Sequence, residues 1–226
     1  MRRHMLAGTV TLFTLSLACG VSAQTCDPTY GFAPVQPRAQ ETGEWCWAAT
    51  QQMAMESHGD RYFQDQCFLV TVILRGEHKI SANVRSCCDA EHMLAPRCSR
   101  PNWPNFRRLN FHTSDPTKRR ISPTGLSWDV ITDQICRGLP LVITLEYKET
   151  AHQFVIGGYK VLGNGKRTIW VIDPTGVEQS AADAEPPAQW RPFHLFYVKA
   201  WDGKAKHSYD FIEICPLESM KDGKCG

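Results

Sequence analysis

Cysteine is the residue that most narrows what this chain can become. The 226 residues carry ten, and nine once an N-terminal targeting segment is set aside. Arg2 and Arg3 form a short positive region, an apolar stretch runs from Met5 to about Cys19, and Val21-Ser22-Ala23 has the small–x–small pattern of a signal-peptidase site. Residues 1–23 are therefore expected to be a signal peptide and residues 24–226 an exported domain, secreted or periplasmic. Lipidation at Cys19 is the weaker reading, because Ser16 rather than Leu lies three residues before it. The apolar run is too short and wrongly flanked for a comfortable membrane span, so no stable insertion is expected after its removal. Oxidising compartments pair cysteines, and one left over is either intermolecular or kept reactive. With Cys46 as the exception, Cys26, Cys67, Cys87, Cys88, Cys98, Cys136, Cys215 and Cys225 could close four bridges, in about a hundred ways. A zinc site built from Cys67, Cys87, Cys88 and Cys98 is the rival; the export signal and the lack of a C-x-x-C pair favour disulfides.

Charge excludes some partners. Loss of Arg2 and Arg3 leaves 23 basic residues against 23 acidic ones. A neutral chain argues against nucleic acid or an anionic membrane as the main partner. The stretch 97–120 is locally basic, with Arg97, Arg100, Arg107, Arg108, Lys118, Arg119 and Arg120 against Asp115. It reads as a solvated loop or as a rim that selects acidic substrates.

The chain changes period along its length. Residues 24–39, with Pro28, Pro34 and Pro37, read as an extended lead-in with no element of its own. A helix is expected from Glu44 or Trp45 to about Ser57, rich in Ala and Met, with Gly59 just past its end. Residues 60–120 form a Cys-rich insert in which Phe68–Leu74 could be helix or strand. A second helix is expected over Ser127–Arg137, with Trp128, Ile131 and Ile135 on one face and Gly138 and Pro140 to stop it. Strands are expected at Leu141–Tyr147, Gln153–Val161, Thr168–Ile172, Phe193–Val198 and Tyr209–Cys215, with Asn164-Gly165 as a hairpin turn. Helices first and sheet second predict an α+β fold, a helical half packed against an antiparallel sheet half.

Three segments carry chemistry. Cys46 sits in Glu44-Trp-Cys-Trp-Ala-Ala49 at a helix start, where free N–H groups and the macrodipole favour a thiolate. The bland alternative is a core cysteine between two tryptophans. His152 heads the apolar strand Gln153-Phe-Val-Ile-Gly-Gly-Tyr159, where Gly157-Gly158 lets another segment come close. His58, His78, His92 and His112 lack such a setting, and His194 and His207 are weaker candidates. Asp173 follows Trp170-Val-Ile172 and could accept the other ring N–H of His152. Alone it would be a turn Asp before Pro174.

The Cys-helix, His-strand, Asp-strand order resembles the papain-like (clan CA) cysteine peptidases. The Trp45-Cys-Trp-Ala-Ala49, His152–Tyr159 and Val171-Ile-Asp-Pro174 motifs resemble a compact bacterial branch of secreted effector peptidases and bacteriocin-processing peptidases, over about residues 36–200. The resemblance implies a papain-like fold with Cys46 as nucleophile, His152 as base and then acid, and Asp173 as orienting group. Gln40, six positions before Cys46, would be an oxyanion donor. It implies a protein or peptide substrate and no cofactor or metal. Two departures stand out: plant-type papains have Asn where this chain has Asp173, and the 16 residues between Ala23 and Gln40 leave no room for a folded inhibitory propeptide. A transglutaminase or amidase would use the same triad, and a non-catalytic disulfide-rich binding module would have Cys46 paired or buried. Oligomeric state is not legible.

Overall fold

The computed structural model describes residues 26–81, 86–114, 125–146, 150–175, 188–193 and 206–225. The expected signal peptide lies outside them, as do Tyr147, residues 115–120 of the basic stretch, and His194 with the rest of the strand expected to end at Val198. In chain order the elements are β1 (Tyr30–Phe32), α1 (Cys46–Glu56), α2 (Gln66–Gly76), α3 (Ala90–Met93), β2 (Phe111–His112), α4 (Trp128–Cys136), β3 (Leu141–Glu146), β4 (Ala151–Val161), β5 (Arg167–Ile172), β6 (Ala188–Pro192), β7 (Lys206–Phe211), β8 (Cys215–Pro216), β9 (Met220–Lys221) and β10 (Lys224–Cys225). Apart from the short β1 and β2, the helices precede the strands, and the fold is α+β.

The helix α1 is buried from Trp47 to Met55. A helix enclosed on all sides belongs to the interior and must satisfy its polar side chains there. Thr50 Oγ1 donates to Gln153 Oε1 at 3.2 Å, Gln51 Oε1 accepts from the Asn105 amide at 2.8 Å, and Gln52 Nε2 donates to the Gln64 carbonyl at 2.8 Å. The first of these bonds ties the helix to β4. The ambiguous run Phe68–Leu74 is helical, with Val70, Ile73 and Leu74 buried and Phe68 exposed. At the start of α4, Ser127 Oγ accepts from the Val130 amide at 3.3 Å. Gly138, at φ 74°, ends it.

The main sheet runs β6-β5-β4-β3-β7, with antiparallel neighbours throughout. One edge of β4 is shared: β3 pairs with residues 151–156, and β1 pairs with residues 158–160. The lead-in is therefore not wholly irregular. Where β3 leaves, β4 presents unpaired backbone groups, and β1 satisfies them. Gly158 permits the approach: a Cβ there would lie 3.1 Å from the Gly31 carbonyl oxygen. A Cβ on Gly157, at the bulge between Ile156 and Gly158, would lie 2.9 Å from the Trp170 ring.

One strand goes unforeseen and one expectation is corrected. Ala188–Pro192 pairs with β5, with Trp190 opposite Trp170, and its register is set by the strand across. The run Tyr209–Cys215 is broken: β7 ends at Phe211, Glu213 takes φ 54°, and Cys215–Pro216 pairs with β2 in a separate ladder. A left-handed residue cannot continue a strand.

The bridges are Cys26–Cys136, Cys67–Cys88, Cys87–Cys98 and Cys215–Cys225. The four cysteines of the zinc alternative are thus consumed by two disulfides. Adjacent Cys87 and Cys88 staple the insert in two directions, to the loop at 98 and to α2. Trp45, Trp47, Val70, Ile73, Cys87 and Cys98 form one core, and Met53 and Ala54 join the larger core under the sheet. The helix α1 belongs to both, so its first residue lies where the helical half meets the sheet half.

Candidate active site

Cys46 is the first residue of α1. No side chain caps that end and no acid stands in the first turn. The amide of Ala48 donates to the Trp45 carbonyl at 3.0 Å, and the positive end of the macrodipole falls on the sulfur. Cys46 is half-buried and is the unpaired cysteine among the described residues. A binding module with Cys46 paired or buried does not fit this arrangement. The helix end is held from outside: Trp45 Nε1 donates to the Cys98 carbonyl at 2.9 Å and Trp47 Nε1 to the Arg100 carbonyl at 3.2 Å.

His152 is the second residue of β4, and its ring stands edge-on to Phe154, centroids 4.6 Å apart. Antiparallel pairing sets Val155 opposite Ile172. Three residues back along β4 and one residue beyond β5 bring His152 beside Asp173, with Nε2 2.8 Å from Oδ1. Cys46 and His152 line the same cleft, and the Cys46 side chain acts on the ring from the other side, favouring its charged form. The imidazole thus lies between the thiol and the carboxylate. Asp173 Oδ1 additionally accepts from the Thr175 amide at 2.9 Å and hydroxyl at 2.7 Å. The residue is a turn Asp and a histidine partner at once.

Burial works against the charge on His152, but the hydrogen bonds and charges of Asp173 and Cys46 outweigh it and raise its pKa from 6.5 to about 9. Burial likewise pushes the Asp173 carboxyl up, and bonding to His152 and Thr175 overcomes it and holds the group below its ordinary range. Both groups are ionised at neutral pH.

Gln40 is buried near this centre, its backbone amide donating to the Pro174 carbonyl at 3.0 Å. Its Nε2 donates to the Thr42 carbonyl at 2.9 Å, and Oε1 accepts no hydrogen bond. The other histidines lie elsewhere: His58 bonds the Ile214 carbonyl, His92 lies near Asp89 and His112 near Glu213. His207 and His152 face Leu145 from strands on opposite sides of β3.

Cys46 and His152 open into a cleft of about 570 Å³, whose walls include Glu44, Lys79, Asn102 and Trp103. The last three come from the insert, which sequence reasoning left undivided. They are held by contacts distant in sequence, such as the Trp103–Tyr209 edge-to-face pair with centroids 5.0 Å apart. The role of Thr175 was open to reading, because Asp-Pro-Thr has the spacing of a side-chain-capped turn. Among the described residues no His/Cys/Asp/Glu group is placed to hold a metal ion, and no helix is long and apolar enough to cross a membrane.

Comparison with known proteins gives a family and a set of distant structures. The model of the Peptidase_C39 like family matches residues 32–200. No curated protein matches. Among solved structures, the chain is similar to the bromelain protease of Ananas comosus in complex with the E64 inhibitor, at 11% identity and a TM-score of 0.44, covering 82% of this chain and 98% of that one. It is also similar to the Amb a 11 cysteine protease, a ragweed pollen allergen, in its proform, at 12% identity and a TM-score of 0.42, covering 85% of this chain and 66% of that one. The family match spans Gln40, Cys46, His152 and Asp173 and most of the sheet: the chain belongs to the Peptidase_C39 like family of peptidases.

Proposed function

We propose that the chain is an exported hydrolase that cleaves peptide bonds with Cys46, His152 and Asp173 as its triad. The observation that carries this reading is the position of His152, which bonds Asp173 at 2.8 Å and shares an open cleft with the unpaired Cys46 at the start of α1. Cys46, as the thiolate of a pair whose proton rests on His152, attacks the substrate carbonyl. The bond to Asp173 fixes the ring tautomer, leaving the other nitrogen for the sulfur. The oxyanion is held by the backbone N–H of Cys46 and by Gln40, whose amide carries two donors, one already anchored on Thr42. His152 then protonates the leaving amine and activates water for deacylation. Export is supported by four disulfides among the described residues.

The test is labelling with an epoxide-type thiol-peptidase inhibitor followed by mapping of the modified residue. Modification at Cys46, abolished by His152→Ala in a folded protein, is expected. Labelling elsewhere, or equal labelling in the variant, overturns the assignment. Incorporation of an added amine in place of hydrolysis would make the enzyme a transferase on the same triad.

A further inference from the structure

The cleft wall contributed by the insert carries a fixed cation that the chemistry of the triad does not use. Lys79 Nζ lies 3.0 Å from Glu77 Oε2 and donates to Asn102 Oδ1 at 2.5 Å. Glu77 in turn accepts from Asn102 Nδ2 at 3.1 Å and from Asn105 Nδ2 at 3.2 Å. Burial pushes the Glu77 carboxyl up, but these donors hold it below its ordinary range, so it stays ionised. The two charges are not equivalent towards a ligand: Lys79 lines the cleft, and Glu77 does not. An ammonium has three N–H donors, and Glu77 and Asn102 take two. The third is left for the cleft. A lysine normally loses rotamer freedom when it grips a ligand; here the network has already removed that freedom. Glu44, the acid that lines the same cleft, comes from the loop before α1, so the two segments carry opposite charge.

We propose that Lys79 is a specificity-determining residue that recognises a carboxylate of the substrate. The carboxylate is an Asp or Glu side chain or the C-terminal carboxylate of a peptide. The inference rests on the peptidase reading of Cys46 and names the class of peptide which that site prefers.

Two probe sets test it on the whole exported protein and on Lys79→Met and Lys79→Arg. Peptidyl chloromethyl ketones carrying Glu or Gln at each position read the side-chain source, through the rate of Cys46 alkylation. Peptides with a free or an amidated C terminus read the terminal source, through protection of Cys46 against iodoacetamide. In one set the carboxylate-bearing member should win by about five- to tenfold, the worth of a charge-assisted contact in a partly open site. The preference should vanish in Lys79→Met and persist in Lys79→Arg. Acid-to-neutral ratios that are the same in the parent and Lys79→Met overturn this inference alone. Failure of every chloromethyl ketone to label Cys46 overturns the peptidase reading and this inference with it.

Discussion

Replacing Asp173 by Ala should lower the pKa of His152 before it does anything else. In the folded protein the imidazolium is stabilised from 6.5 to about 9. That rise corresponds to roughly 3 kcal/mol in favour of the charged ring, and the ring is well enough shielded, at 21% exposure, for the figure to hold as an order of magnitude. Asp173 and Cys46 each contribute a hydrogen bond and a charge. Because Asp173 is one of the two groups that outweigh burial, its removal should bring the His152 titration well below 9. The sign for stability follows. A histidine whose pKa is raised on folding stabilises the native state fully below about pH 6.5, and that contribution is lost as pH rises through about 9. In Asp173→Ala the loss should be smaller and finish at lower pH; in Asp173→Asn, which keeps an acceptor without the charge, it should be intermediate. The assays are a long-range nitrogen–proton NMR titration of the His152 ring and urea denaturation at pH 6 and pH 9.5, on variants shown to be folded. Cys46 should still be alkylated while peptide turnover falls strongly. A His152 ring that still titrates near 9 in folded Asp173→Ala would refute the reasoning.

Gln40→Ala should cut kcat on a peptide by about 10²–10³ while leaving iodoacetamide alkylation near normal, because alkylation forms no oxyanion; turnover within threefold of the parent would make Gln40 a buried loop residue and no more. Alkylation of the protein lacking residues 1–23, without reduction and read by mass spectrometry, should modify Cys46 alone, and a structural disulfide at Cys46 would remove the proposed nucleophile. Gly157→Ala should destabilise by about 1–3 kcal/mol in urea, since its Cβ would meet the Trp170 ring at 2.9 Å; an unchanged midpoint would show that the ring yields freely. Trp45→Phe should cost about 1 kcal/mol by leaving the Cys98 carbonyl unpaired, with the loss visible in the same denaturation series.

The sequence by itself determined the elements whose signals are local. Ala48, Ala49 and Met53 favour a helix that Gly59 closes, and Ser127 and Gly138 bracket α4, since capping and propensity act within a turn or two. The local patterns behind the proposed site were legible for the same reason: a cysteine opening a helix, a histidine heading a strand and an aspartate closing the next one are short patterns, and antiparallel pairing of adjacent strands follows from the turn at Asn164-Gly165. With the expected signal peptide set aside, the cysteine count is odd, so one thiol was expected to stay unpaired; the helix-start motif, not the count, pointed to Cys46. Which cysteine pairs with which was decided only in three dimensions, because loop closure depends weakly on separation and bridges of 10, 11, 21 and 110 residues coexist here. The strand β1 exists because β3 leaves half of one β4 edge unpaired, a demand arising more than a hundred residues away in sequence. The start of β6 was set by β5 opposite it rather than by its own residues. The Glu77, Lys79, Asn102 and Asn105 network has no sequence pattern at all. Those four side chains meet because the insert is folded back on itself and stapled by its disulfides, and a contact between distant residues leaves no periodicity behind to be read.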